Sequence, residues 1–434
     1  MDQSLILYNL ALGLGCAALP PLWLGARLGR RYAEVWPRLG LYRHTPEPGP
    51  GPRVWLQAVS VGEVAVARAV AERLWELRPD VKLIVSSSTA KGLERAAELF
   101  AGRALVAPFP LDMPWAAAAA VARLRPQVYA SLETEIWPNL LALLRRSGAG
   151  VLLLNGRFSE RSFPGYRRFR WLIAPALARF DHLSMIGPAD AQRAVALGAP
   201  AARVSVDGNA KYAGLLERAR TSDPAEAAAL LKLDGAPLLV AGSMRGGEEA
   251  VVMEAFAKVR ARFPRAVLAV APRHLERGRA WLRAAAAAGL TAQSWTHLRP
   301  DAPRRPETAV VVVDVMGRLM AIYGLGAAAV VGASFVGLGG QNPMEPAAWG
   351  KPVAFGPDMS DFADASQALI EAGGGRQAAD GAALGDFWLA ALADPALALA
   401  WGRAGQGVVE RWSRAAEAAA GHIARRLDRR GART

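Results

Sequence analysis

The chain has 434 residues, of which 52% are apolar and 21% charged, the balance of an ordinary folded protein. This composition excludes intrinsic disorder, collagen and coiled coil. Because a single core stops growing at roughly 250–300 residues, the length predicts two domains with a ligand cleft between them. One cysteine, Cys16, and five scattered histidines exclude a disulfide framework and a Cys/His zinc cluster. Any chemistry therefore depends on carboxylates, hydroxyls, backbone amides and cations.

The charge balance favours anionic partners. Lysine and arginine total 52 against 38 for aspartate and glutamate, which gives a formal net charge of +14. Nucleic acid would require a known binding motif or a basic stripe with interleaved aromatics, and the sequence shows neither. We therefore expect phosphorylated substrates and an anionic membrane surface as partners, and no nucleic acid.

An uncharged stretch near the N-terminus runs from Leu5 to Leu24. It reaches the ~20 residues that a helix needs to cross a bilayer. Only Asp2 precedes it, whereas five arginines follow it: Arg27, Arg30, Arg31, Arg38 and Arg43. By the positive-inside rule the N-terminus lies outside and the remainder in the cytoplasm. We expect residues 1–28 to form a single-pass membrane anchor, with a helix that lies on the membrane as the alternative.

Past Pro52, short apolar runs alternate with amphipathic stretches, the pattern of parallel strands covered by helices on both faces. The predicted strands begin at Arg53, Val81, Gln127 and Val151 in the first half, and at Pro237, Ala266, Ala309 and Ala327 in the second. This is an α/β fold. It predicts an N-terminal domain over 29–212, a linker over 213–236, a C-terminal domain over 237–410, and a final helix with a basic tail over 411–434.

Ligands of open α/β sheets bind beyond the carboxyl ends of the strands. There the run SVGE, from Ser60 to Glu63, joins the first strand to a helix. Serine followed three residues later by glutamate is typical of a capping box, which is the favoured interpretation from spacing alone. The alternative is a carboxylate at the ligand edge that acts as a general base.

Three further strand ends in the first half carry polar groups. The run ETEIWPN places Glu133 at a strand end, where helix capping explains it poorly. Glu135 is interpreted as a partner of the helix dipole and Trp137 as a core anchor. Arg157 and Lys211 follow two later strands, and two cations at neighbouring strand ends indicate an anion site.

In the second half, Ser243 ends a strand and Arg273 follows Pro272. The run from Gly337 to Glu345 combines glycines with Asn342 and Pro343, which predicts a helix N-terminus suited to an anion. It matches neither the dinucleotide GxGxxG nor the phosphate-binding GxxxxGK[ST] pattern. The chain also lacks an Asp-x-Asp pair for a nucleotide-bound metal.

Taken in chain order, WLQAVSVGE, ETEIWPN, NGRFS, GNAKY, APRH and GGQNPMEPAAWGKPVAFGP resemble segments of the bacterial 3-deoxy-D-manno-octulosonic acid (Kdo) transferases, glycosyltransferase family 30. These are membrane-anchored enzymes of lipopolysaccharide inner-core synthesis. The resemblance implies a GT-B fold with two Rossmann-like domains facing a cleft. It further implies inverting, metal-independent transfer without a cofactor, with CMP-Kdo as donor and lipid A precursor (lipid IVA) as acceptor.

The resemblance also implies roles for individual residues, with Glu63 as the catalytic base. The implied donor contacts are Arg273, Gly337, Leu338, Gly339, Gly340, Asn342 and Glu345, and Ser243 is expected to join them at the departing phosphate. Kdo or the acceptor is expected to meet Ser60, Gly62, Glu133, Arg157 and Lys211. Four positions depart from the family pattern, namely Gln57, Met244, Arg318 and Gln341. A UDP-sugar transferase of envelope synthesis and a non-catalytic membrane-associated homologue remain alternatives.

Overall fold

Two parallel sheets of seven strands each organise the chain. The computed structural model describes residues 3–17, 38–40 and 49–431. Two compact units result, of which the first joins Met1–Ala213 with Trp412–Thr434 and the second is Gly214–Arg411. The expected α/β class with two Rossmann-like units is thus confirmed.

The first sheet has the strand order β3-β2-β1-β4-β5-β6-β7, and neighbouring strands pair in parallel. Its strands are β1 (Arg53–Gln57), β2 (Lys82–Ser87), β3 (Ala104–Pro108), β4 (Val128–Leu132), β5 (Gly150–Gly156), β6 (His182–Met185) and β7 (Val204–Val206). The order of connection reverses between β1 and β4, and such a switch point is where parallel sheets bind ligands.

Helices cover both faces of this sheet. They are α1 (Gln3–Ala17), α2 (Val61–Leu77), α3 (Ala90–Leu99), α4 (Pro114–Leu124), α5 (Pro138–Arg146), α6 (Phe163–Arg168), α7 (Arg170–Leu177) and α8 (Pro188–Leu197). One core layer contains Trp55 and Tyr129, and the other contains Leu56 and Val70. Residues of β1 contribute to both layers because successive side chains point to opposite faces of a strand.

The last helix, α18 (Ala415–Gly431), belongs to the first unit. Its Ile423 is fully buried among residues of β1 and α2. On its outer side, Arg426 forms an ion pair of 2.9 Å with Asp181. The segment expected as a final helix with a basic tail thus packs on the N-terminal sheet.

The second sheet has the order β10-β11-β9-β8-β12-β13-β14, with its switch point between β8 and β12. Its strands are β8 (Leu238–Met244), β9 (Val267–Pro272), β10 (Ala292–Ser294), β11 (Val310–Val312), β12 (Ala328–Val331), β13 (Val353–Phe355) and β14 (Gly375–Gln377). Its helices are α9 (Leu215–Thr221), α10 (Ala225–Leu231), α11 (Glu249–Arg262), α12 (Gly278–Ala287), α13 (Leu319–Leu325), α14 (Met344–Ala348), α15 (Ala363–Glu371), α16 (Gly381–Ala393) and α17 (Pro395–Ser413). Of the expected linker over 213–236, residues 214–236 belong to this unit and contain α9 and α10.

The N-terminal helix α1 has 15 residues. Residues 18–24, the remainder of the expected anchor, lie outside the described residues, as do Arg27, Arg30, Arg31 and Arg43. In the described part of the chain, no single helix is both long and apolar enough to cross a bilayer. Two successive helical segments, Gly381–Ala393 and Pro395–Arg429, are together long and apolar enough, but the chain bends by 109° between them.

Candidate functional site

Backbone strain concentrates at the carboxyl ends of strands near the two switch points. Glu133 and Asn155, at the ends of β4 and β5, have φ angles of 55° and 54°. Ser243 and Ala333, at the end of β8 and just after β12, have φ angles of 56° and 60°. Such left-handed conformations of non-glycine residues cost about 1–3 kcal/mol each and cluster at functional sites. In both sheets these strained residues therefore lie at the carboxyl edge of the strands, where the sequence predicts ligands.

Glu63 lies in the first turn of α2, in a complete capping box. The Ser60 hydroxyl accepts a hydrogen bond from the Glu63 amide at 3.2 Å. The Glu63 carboxylate accepts from the Val59 amide at 2.8 Å and the Ser60 amide at 3.3 Å. The expected capping box is thus confirmed, and Ser60 and Gly62 beside it are exposed. Since each carboxylate oxygen can accept more than one hydrogen bond, Glu63 retains capacity for a ligand.

A second carboxylate, that of Glu135, experiences the charge of Glu63. Burial raises the pKa of Glu135, and the negative charge of Glu63 raises it further, whereas the hydrogen bond from Trp137 opposes the shift. That bond joins Trp137 Nε1 to Glu135 Oε2 at 2.7 Å. From the sequence, Glu133 was the residue of this motif expected at the ligand site. In the structure Glu133 is half-buried, and its backbone amide donates to the Leu154 carbonyl of β5. Glu135, interpreted from the sequence as a dipole partner, is therefore a further candidate for the reaction.

The two predicted cations, Arg157 and Lys211, follow β5 and β7, and asparagine side chains bind the backbone near both residues. The Asn155 carboxamide oxygen accepts a hydrogen bond from the Ala210 amide at 2.8 Å. The Asn209 oxygen accepts from the Lys211 amide at 3.0 Å, which shapes the turn that carries this exposed lysine. The bond between Ala210 and Asn155 holds the Lys211 turn against the end of β5, just before Arg157.

In the second unit, Glu345 interacts electrostatically with two arginines. Burial raises the pKa of Glu345, and the charges of Arg218 and Arg273 oppose that rise. The amide of Arg273 donates to the Met244 carbonyl at 2.8 Å, while its side chain is exposed. The sequence singled out Arg273 but not Arg218, because α9 was taken for part of a linker.

The loop from Gly337 to Gly340 is held by hydrogen bonds that its amides donate to residues outside the loop. The Gly339 amide donates to Asp358 Oδ2 at 2.8 Å, and the Gly340 amide donates to the Ala333 carbonyl at 3.1 Å. With φ at 80°, Gly339 lies so close to Asp361 that an added Cβ would be 2.6 Å from its carboxylate. Leu338 is half-exposed on this loop. The glycines are thus required by the fold, whatever they bind.

The predicted helix N-terminus after Asn342 is smaller than expected. Helix α14 has 5 residues and starts at Met344, so Pro343 caps it rather than opening it. Asn342 Oδ1 accepts the Met344 amide at 3.1 Å, and its Nδ2 donates to Glu345 at 3.4 Å. Because Asn342 uses the first amide and Pro346 has none, little of this terminus is left for an anion.

Ser243 is the next-to-last residue of β8, and the residue that precedes α11 is Glu248. Among the positions that depart from the family pattern, Gln57 is fully buried and accepts a hydrogen bond from Ser86, and Met244 is also in the core. Arg318, at the start of α13, pairs with Glu226 of α10.

Gln341 remains at the surface of the glycine loop, half-buried. Its side chain donates to the Gly340 carbonyl at 3.0 Å. The amide group therefore keeps the hydrogen-bonding capacity expected at this position.

Within the described ranges, one group of histidine and carboxylate side chains could hold a metal by residue type: His182, Asp207 and His422. The two rings stack with centroids 3.9 Å apart, and His422 Nε2 lies 2.9 Å from Asp207. Arg425 faces His422 Nδ1 at 2.9 Å, and Ser205 donates to Asp207 at 2.8 Å. Because the arginine can only donate, His422 Nε2 carries the proton that Asp207 accepts. The group therefore acts as a hydrogen-bonded clamp between α18 and the sheet.

Comparison with known proteins identifies the family. A family model described as 3-deoxy-D-manno-octulosonic-acid transferase (kdotransferase) matches residues 33–214. A 3-deoxy-D-manno-octulosonic acid transferase of Bordetella pertussis is 32% identical over 431 residues, covering 93% of this chain and 96% of that protein. The transferase of that name from Haemophilus influenzae is 29% identical over 353 residues, covering 80% of each.

Among solved structures, UDP-GlcNAc 2-epimerase from Neisseria meningitidis, bound to UDP-GlcNAc, has a TM-score of 0.57 at 11% identity. The match covers 87% of this chain and 100% of that one, and it concerns the fold alone. The Bordetella relative, by contrast, matches along nearly the whole of both sequences. The chain therefore belongs to the 3-deoxy-D-manno-octulosonic acid transferase family and is a glycosyltransferase.

Proposed function

We propose that this enzyme transfers Kdo from CMP-Kdo to a hydroxyl group of a lipid A precursor, lipid IVA, in lipopolysaccharide inner-core synthesis. Its family membership supports Kdo transfer. The single structural observation that supports the chemistry is the carboxylate of Glu63, held by two amides at the switch point of the first sheet.

In the proposed reaction, Glu63 takes the proton of a glucosamine hydroxyl. The hydroxyl oxygen forms a bond to the anomeric carbon of Kdo as the bond from that carbon to the CMP phosphate breaks on the opposite face. A single displacement inverts the anomeric configuration. The two amide donors fix the carboxylate in place, and its remaining acceptor capacity is directed to the hydroxyl proton in this proposal.

The second unit supplies the donor site in this proposal. Arg273 is exposed after β9, at a strand end next to that of β8 with Ser243. A guanidinium and a hydroxyl would stabilise the charge that develops on the departing phosphate. Gly337, Leu338, Gly339, Gly340, Asn342 and Glu345 remain predicted donor contacts. The carboxylate of Kdo would pair with Arg157 or Lys211 of the first unit.

We further propose that the N-terminal segment holds the enzyme at the cytoplasmic face of the inner membrane. One side of α1 is attached to the protein, since Asn9 and Asn139 exchange side-chain hydrogen bonds of 3.0 and 2.7 Å. The other side exposes Leu7, Leu10 and Leu14. In this proposal the exposed apolar side of the helix meets the lipid, and the arginines that follow in the sequence would add about 1 kcal/mol each near anionic lipid.

Two measurements test the donor and the location. Thermal unfolding of the purified chain with CMP or UDP distinguishes the donors, and we expect CMP to raise the melting temperature and UDP to leave it unchanged. A larger shift with UDP would favour a UDP-sugar donor instead.

For the location, Leu7→Asp combined with Leu10→Asp should release the chain from vesicles that contain anionic lipid. Full retention on the vesicles would contradict the anchor.

A further inference from the structure

Glu248 is a fully buried carboxylate that precedes α11. Its oxygens accept four backbone hydrogen bonds, which come from Arg245 at 2.7 Å, Ala333 at 2.8 Å, and Ser334 and Phe335 at 3.1 Å each. Burying a charge is unfavourable unless hydrogen bonds compensate for lost water. Here the amides fill the acceptor sites of the carboxylate, and bonds to a charged group are about twice as strong as neutral ones.

The four amides come from two different loops. Arg245 belongs to the loop that leaves β8 after Met244, next to Ser243, whereas Ala333 to Phe335 follow β12, the adjacent strand. Three successive amides that converge on one anion resemble the backbone nests that bind phosphate in other proteins. In this chain a side chain of the protein occupies the nest. These amides therefore serve the architecture of the loops and are not available to a bound phosphate.

The turn held by Glu248 also supports the glycine loop. The Ala333 carbonyl accepts the amide of Gly340, which closes the loop that begins at Gly337. Ser334 Oγ accepts the Gly356 amide at 2.8 Å and donates to the Val331 carbonyl at 2.7 Å, which fixes the turn to the ends of β12 and β13. One carboxylate thus connects Ser243 with the Gly337–Gly340 loop through the backbone.

We propose that Glu248 is the positioning residue of the donor site, which holds the Ser243 loop and the Gly337–Gly340 loop in the relative arrangement that CMP-Kdo requires. The inference rests on the proposed function of these loops. Glu248 touches no substrate in this scheme, and it acts through the backbone amides it binds. Its loss should weaken use of the donor and leave use of the acceptor unchanged.

The test compares Glu248→Gln with Glu249→Gln in the full-length enzyme. The glutamine keeps the shape of the side chain, but its NH₂ group faces amide donors where an oxygen stood. We expect the KM for CMP-Kdo to rise roughly tenfold or more, as for loss of a charged hydrogen-bond partner. The KM for the lipid acceptor should stay within about twofold. Glu249 serves as the control, because its carboxylate accepts from the Gly247 amide of its own loop and from Arg277, next to α12.

An unchanged donor KM in folded Glu248→Gln would overturn the proposal, as would an equal rise in both KM values. If the glutamine variant does not fold, Glu248→Asp carries the same test, since its shorter carboxylate cannot reach both loops. Hydrogen exchange at the amides of 333–340 gives a readout that needs no substrate, and we expect faster exchange in the variant. If the unmodified enzyme transfers no Kdo, the proposed function fails, whereas unaltered exchange in the variant counts against Glu248.

Discussion

The two switch points of this enzyme place carboxylates in similar positions and use them differently. At the first, Glu63 accepts two amides from the residues just before its own helix. At the second, Glu248 accepts four amides from two separate loops. A carboxylate with spare acceptor capacity can take a proton from a substrate, whereas a saturated one can only hold backbone in place. Both carboxylates are buried, so the number and origin of their hydrogen bonds distinguish the proposed base, Glu63, from the proposed positioning residue, Glu248.

The largest effect is expected when Glu63, the proposed base, is replaced. Glu63→Gln should lower kcat roughly 10²–10⁴-fold, because a general base contributes about that much. Binding of CMP should remain, since the change lies in the first unit. Release of CMP over time gives kcat, and calorimetry gives binding. Glu72→Gln, on the exposed side of the same helix, is the control and should turn over normally. Near-normal kcat in Glu63→Gln would refute the assigned role.

Removing a cation from the second switch point should affect binding more than chemistry. Arg273→Ala is expected to raise the KM for CMP-Kdo roughly 10–100-fold, the loss of a charge-assisted hydrogen bond. Steady-state kinetics with varied donor measure this change. Arg279→Ala, an exposed arginine on α12, is the matched control. If both variants behave alike, the predicted phosphate contact is wrong.

The histidine clamp predicts a pH effect away from both switch points. Burial and the neighbouring His422 lower the pKa of His182 from 6.5 to about 4. As pH falls from 6.5 towards 4, the unfolded chain binds a proton at this histidine and the folded chain does not, so stability decreases. Because the ring is only half-buried, we expect a loss of roughly 1 kcal/mol after solvent screening.

Denaturant unfolding of the enzyme between pH 7 and pH 4 measures this loss. In His182→Gln the part of the pH dependence that comes from this residue should vanish. A variant whose unfolding free energy falls with pH as steeply as that of the unmodified enzyme would show that His182 is not responsible.

The smallest effect is expected at Arg318, where this chain departs from the family pattern. Arg318 and Glu226 form an ion pair in which both side chains are about half-exposed. Such surface pairs contribute about 0–1 kcal/mol. Arg318→Ala should therefore change the unfolding free energy by less than about 1 kcal/mol and leave the donor KM within about twofold. A large rise in donor KM would place Arg318 at the donor site.

Much of the fold is predictable because long strands buried on both faces are continuous apolar runs. The sequence predicted β1, β2, β4, β5, β8, β9, β11 and β12 in this way. It missed short or partly exposed strands such as β10 and β14, each of 3 residues, which carry too few apolar positions to stand out. Pairing in the sheet, rather than local propensity, determines such strands.

At the candidate site, local patterns were predictable and long-range contacts were not. Ser60 and Glu63 are three residues apart, so their capping box is visible in the sequence. Glu248 lies in a Gly-Gly-Glu-Glu run that is typical of a solvated loop, and three of its four partners follow more than eighty residues later. Likewise, the sequence does not show that Glu135 interacts with Glu63, because the two residues are brought together only by the pairing of β1 with β4.

The central claim, Kdo transfer with Glu63 as base, is tested most directly by mass spectrometry of lipid IVA after incubation with CMP-Kdo. We expect the unmodified enzyme to produce a lipid that is heavier by one or more Kdo groups. With Glu63→Gln at equal CMP occupancy, we expect the lipid to remain unreacted. Unreacted lipid with the unmodified enzyme, or the same product from both proteins, would contradict it.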